Sequence, residues 1–124
     1  ASVSATAKLG RNCLVFEGAT VQPFAEIEEG VFVWGGAYVS HHCKLCAFTF
    51  ISAEACLGGE SEVGHHAFVG LNAIVRDKVR IGPGSLLGPG AVLLSDTAES
   101  SVHIIGNTVA SKMQADRYLK MLHI

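Results

Sequence analysis

Every sixth residue from Val3 to Leu93 is a large aliphatic: all sixteen of these positions hold Val, Leu or Ile, without one insertion. Four places further on in each hexad stands a small or β-branched residue, from Ala7 and Cys13 through Ala67 and Ala73 to Ala91 and Thr97. Glycine recurs directly after the aliphatic, at Gly10, Gly58, Gly64, Gly70, Gly82 and Gly88. A period of six matches neither the 3.6 of a helix nor the plain alternation of a strand, but it does match a short strand followed by a corner. The aliphatic then fills the inside of a three-sided prism, and the small residue fits the corner. With three hexads per coil, residues 18 apart stack at about 4.8 Å, and sixteen hexads wind about five coils.

After Leu93 the rhythm stops. VHII (102–105) reads as one last strand, and Gly106-Asn107-Thr108 leads into a predicted helix over about 109–122, N-capped by Asn107 or Thr108. The helix is read as a lid, because an uncovered solenoid end exposes strand edges and apolar core. The chain thus divides into a β-helix, 1–98, and a final strand with capping helix, 99–124. Nothing comparable precedes Val3, so a further N-terminal segment is expected.

Composition narrows the partners. With 124 residues, 49% of them hydrophobic, the chain has the means to bury one core, and its net charge of −2 offers no attraction for nucleic acid. No apolar run reaches the roughly 18 residues that cross a bilayer, and no signal peptide is evident, so a cytoplasmic protein without membrane contact is expected. The four cysteines are expected to be free thiols, with Cys13, Cys43 and Cys56 as small core or corner fillers.

The chemistry concentrates in VSHHCKLC (39–46). A zinc site built from His41, His42, Cys43 and Cys46 is disfavoured, since the hexad register turns Cys43 inward and a second ligand pair at suitable spacing is lacking. A redox C-x-x-C is disfavoured because the motif opens no helix. The stacking offers more. One coil beyond His41 is Gly59, which leaves a slot and a backbone N–H beside the imidazole; one coil beyond His42 is Glu60. A base, a space, an oxyanion donor and a carboxylate then share one corner, with Glu60 expected to pair with His42. The plainer alternative is a solvent-facing corner decorated by two histidines.

The block from Ser40 to Val75, SHHCKLCAFTFISAEACLGGESEVGHHAFVGLNAIV, resembles the hexapeptide-repeat acyltransferases of the sialic-acid O-acetyltransferase and bacillosamine-type amino-sugar N-acetyltransferase group. That resemblance implies an all-β fold, a left-handed parallel β-helix with a C-terminal helix. The left hand comes from the resemblance, against the usual right-handed crossover. It also implies an acetyl-CoA-dependent transfer to an amino or hydroxyl group of a sugar or nucleotide sugar, with no metal required, in a homotrimer with active sites between subunits. His41 falls on the family's general base, Gly59 on the glycine whose amide meets the thioester, Leu71 and Asn72 on the pantetheine-lining segment, and Gly88 and Gly90 on the coil bordering the coenzyme. Three substrate-side positions depart from the family pattern: His42 replaces an acid, Phe50 a second histidine, and Trp34 an asparagine. These departures are consistent with a competing reading, a noncatalytic trimeric scaffold with a decayed site; a third reading is a zinc-dependent hydratase of the same fold. Arg76, Lys78, Arg80 and Lys112 are read as solvated surface charges.

Overall fold

The computed structural model describes residues 1–123. Sixteen two-residue strands, β1 (Ser2–Val3) to β16 (Val92–Leu93), follow one another every six residues, and β17 (Val102–His103) and a short helix α1 (Ala115–Met121) complete the chain. The strands form three parallel sheets. The first runs β1-β4-β7-β10-β13-β16, the second β14-β11-β8-β5-β2, and the third β17-β15-β12-β9-β6-β3. This is the left-handed parallel β-helix that the hexad rhythm and the resemblance predict, of between five and six coils.

Each pairing within the repeat joins residues 18 apart, as in Val21 with Val39 and Leu57 with Val75. The second residue of each strand points inward, so Val39, Leu45, Ile51, Leu57, Val63 and Val69 are wholly enclosed, and the corner fillers Ala37, Cys43, Ala55 and Ala73 close the gaps between sheets. The first strand residue points out. Cys56 occupies such an outward place and is exposed, which corrects its reading as a core filler; the other inward fillers, Cys13 and Cys43, are half-buried and buried, and all four cysteines are free thiols.

The end of the solenoid differs from expectation. β17 pairs with β15 through Leu86–Val102, an offset of 16, and no further strand follows β14 in the second sheet. Side chains close that edge instead: Asp96 Oδ1 accepts the Arg80 N–H at 2.8 Å and Thr97 Oγ1 accepts the Gly82 N–H at 2.8 Å. The helix is shorter than predicted and starts at Ala115 after Gln114, which makes no side-chain cap. The Ser111 hydroxyl accepts the Met113 N–H at 3.0 Å, a local turn that competes with helix formation across the β-branched and polar stretch before it. No residue of α1 is buried, so the helix is not a lid within this chain.

Leu57→Ala, in a middle coil with no exposure, should lower stability by about 2–5 kcal/mol. Leu94→Ala, at 62% exposure, should move it by less than about 0.5 kcal/mol. Urea denaturation of the two variants against the parent chain reads the difference.

Candidate active site

Each corner is a tight turn with a fixed backbone signature. From Asn12 to Gly90 every sixth residue has positive φ, and nine of these fourteen residues are not glycine, His42 (57°) and Glu60 (63°) among them. The turn at Ser40-His41-His42-Cys43 is closed by the Cys43 N–H donating to the Ser40 carbonyl at 3.3 Å, with His42 in the left-handed place typical of a type II turn. The position before the left-handed residue aims its N–H out of the coil. Proline takes that position at Pro23, Pro83 and Pro89, where a donor is not required.

His41 occupies this outward position in one coil and Gly59 in the next. They are in register, since the Glu60 N–H donates to the His41 carbonyl at 2.9 Å. A Cβ on Gly59 would lie 2.5 Å from His41 Nε2 and 2.7 Å from its Cε1, so the absence of a side chain is what lets the imidazole lie over this backbone. The φ of Gly59 is not in the left-handed region; close approach alone demands glycine here. Its N–H has no acceptor among the described residues. An imidazole and an open backbone donor therefore meet at one edge of the prism. The other histidine pair gives the contrast: His65 sits at the same place in its hexad, but the residue one coil on is Pro83, which has no N–H to offer.

His42 is placed otherwise than predicted. Its Nδ1 lies 3.1 Å from His41 Nδ1, its ring is nearly perpendicular to that of His41, and it stacks on Phe24 at 5.1 Å. Glu60 is exposed one coil above and makes no hydrogen bond or ion pair with His42 among the described residues. When His41 Nδ1–H donates to His42 Nδ1, the lone pair of His41 stays on Nε2, the atom facing Gly59. The histidine pair is thus joined through Nδ1 of both rings, and the expected pairing of Glu60 with His42 is not formed among the described residues.

The remaining candidates lie elsewhere. Trp34, Phe50, Leu71, Asn72, Gly88 and Gly90 gather on the third sheet and the edge that follows it, so one chain does not bring them to His41. There Phe16 stacks on Trp34 at 4.1 Å, Trp34 meets Phe50 at 5.8 Å, and Phe50 stacks on Phe68 at 5.1 Å. The Trp34 Nε1–H is enclosed with no acceptor among the described residues. Leu71 and Asn72 are exposed, and Asn72 and Gly90 both have positive φ. The zinc set imagined in VSHHCKLC is not assembled: Cys43 faces inward, with its thiol 3.1 Å from the Gly58 carbonyl and 3.3 Å from Ser61 Oγ, and burial raises its pKa. The late cations are surface groups, with Arg76 beside Asp77 and Arg80 beside Glu62, each at 3.8 Å.

No family profile matches the chain. Over 79 residues it is 35% identical to an acyl-[acyl-carrier-protein]–UDP-N-acetylglucosamine O-acyltransferase of Burkholderia mallei, a match covering 62% of this chain and 30% of that protein. The acetyltransferase domain of PglB from Neisseria gonorrhoeae, also known in complex with acetyl coenzyme A, superposes with a TM-score of 0.83 at 33% identity, over 84% of this chain and 51% of that one. PerB from Caulobacter crescentus, solved with CoA and GDP-perosamine, gives 0.83 at 31% identity over 84% and 50%. The resemblance to hexapeptide-repeat acyltransferases is one of fold and sequence together. The chain spans about a third of the curated relatives it matches and about half of the structural ones.

Gly59→Ala should push the His41 ring off its seat while changing stability by less than about 0.5 kcal/mol, because the exposed imidazole can swing into solvent. Altered His41 ring resonances at an unchanged melting temperature are the expected result.

Proposed function

We propose that the chain is the β-helix of an acyl-CoA-dependent acyltransferase that moves an acetyl group from acetyl-CoA to the amino or hydroxyl group of a sugar or nucleotide sugar. The observation that carries this reading is His41 Nε2 poised over Gly59, beside a backbone N–H that has no acceptor among the described residues. Similar proteins support the substrates: PglB binds acetyl coenzyme A, and PerB binds CoA together with GDP-perosamine.

The chemistry follows from these groups. His41 Nε2 removes a proton from the acceptor amine or hydroxyl as it attacks the thioester carbonyl. The Gly59 N–H donates to the oxyanion of the tetrahedral intermediate, a contribution of the order of 3 kcal/mol in comparable sites. Collapse expels the coenzyme thiolate, which recovers the proton from the imidazolium. No nucleophilic cysteine takes part, in keeping with the buried Cys43 and Cys46. His42 holds the His41 tautomer through the Nδ1 contact.

The separation of base and coenzyme-lining residues onto different edges is the argument for a homotrimer, in which Leu71, Asn72, Gly88 and Gly90 of one subunit face His41 of the next. The aromatic stack of Phe16, Trp34, Phe50 and Phe68 offers an apolar surface for that contact. A cytoplasmic location suits four free thiols, and no helix among the described residues is long and apolar enough to cross a membrane.

Acetyl-CoA at a hundred times its Kd should stabilise the chain by about 2.7 kcal/mol in a thermal-shift assay; no shift favours the noncatalytic scaffold. In a thiol-release assay across nucleotide amino sugars, His41→Ala should lose at least about a hundredfold in turnover, and unchanged kinetics refute the base. His42→Ala should cost more turnover than Glu60→Gln. The reverse order would assign the orienting role to Glu60.

A further inference from the structure

The corner that follows the second sheet carries a set of side chains which the acyl transfer does not use. Glu28, Cys46 and His65 come from three successive coils, and their donor atoms all lie within 4.8 Å of one another, the single such group of three among the described residues. Glu28 and Cys46 share one hexad position 18 residues apart, and His65 stands one place beyond the next in that series. Glu28 Oε1 is 3.5 Å from His65 Nε2 and is oriented by the Ala47 N–H, which donates to it at 2.9 Å. Cys46 is 96% buried by its 4% exposure, and its thiol has only a long contact to Glu62 Oε1 at 3.8 Å.

We propose that Glu28, Cys46 and His65 form a binding site for a borderline-soft divalent transition metal such as Zn²⁺, separate from the His41 edge. Imidazole, thiolate and carboxylate are the donors such ions select over Mg²⁺ or Ca²⁺. Bond lengths of about 2.0–2.3 Å to a tetrahedral ion set donors about 3.3–3.7 Å apart. The Glu28–His65 pair already has that spacing, and the exposed His65 ring is free to close on Cys46. The Ala47 N–H on Glu28 is the kind of outer contact that fixes a ligating carboxylate. Metal binding to the Cys46 thiol forms a sulfur–metal bond, breaks the S–H bond and releases one proton to solvent. The ion would tie three coils together at one edge, and water or Glu62 would complete its coordination.

The test is titration of the full chain carrying Cys56→Ser, which removes the exposed thiol, with Co²⁺, followed by absorbance. One equivalent should raise a sulfur-to-cobalt charge-transfer band, bleached by Zn²⁺. The band should vanish in Cys46→Ser, weaken at least about tenfold in affinity in His65→Ala, and persist in His41→Ala. The exposed His65 variant keeps the test decisive should Cys46→Ser fail to fold. No band, or a band that survives both substitutions, overturns the site. Because the readout is optical and not catalytic, failure here leaves the acyl transfer untouched, and failure of the acyl transfer leaves this site untouched.

Discussion

The structure rests on one constraint, the uninterrupted offset of 18 residues between paired strands from the first coil to the last full one. In a parallel ladder a slip of one residue would turn every Val, Leu and Ile from the prism interior to the surface. The strands are only two residues long, so no single pairing could hold that register alone. It is held collectively, by a core that repeats the same inward residue in every hexad and by corners that return the chain after the same number of steps. Functional geometry is a by-product of this constancy: a residue's partner across the coil is whatever stands 18 places away.

That rule made much of the molecule readable from its sequence. The interior, the three-sheet layout and the adjacency of His41 and Gly59 all follow from counting. What counting does not reveal is where an outward side chain points. The hexad places Glu60 on one side of His42 and Phe24 on the other, each one coil away, and counting does not say which the ring will face; it stacks on Phe24 and brings its Nδ1 to His41. The same limit hid the grouping of Glu28, Cys46 and His65, where His65 reaches past Ala47 to a carboxylate two coils away. The helix starts later than predicted for another reason: beyond Leu93 there is no period to count, and a local hydroxyl bond at Ser111 competes with the helix before Ala115.

The two histidine pairs show how a repeat fold separates chemistry from architecture. His41-His42 and His65-His66 occupy equivalent turns, and His66 stacks on Phe48 as His42 does on Phe24. The difference lies in the neighbours that stacking supplies. Above His41 is a glycine whose N–H has no acceptor among the described residues; above His65 is a proline, and below it a carboxylate and a buried thiol. In the roles proposed above, one turn serves proton transfer next to an oxyanion and the other electron-pair donation to a cation.

Asp96 and Thr97, which satisfy the backbone of Arg80 and Gly82, bear on how such a tube behaves in a crowded cell. A ladder whose last rung is left open is a template, and a second molecule laying its own strand there would start a fibre. By filling those donors with short side chains before another backbone arrives, the chain denies the second sheet its growing tip.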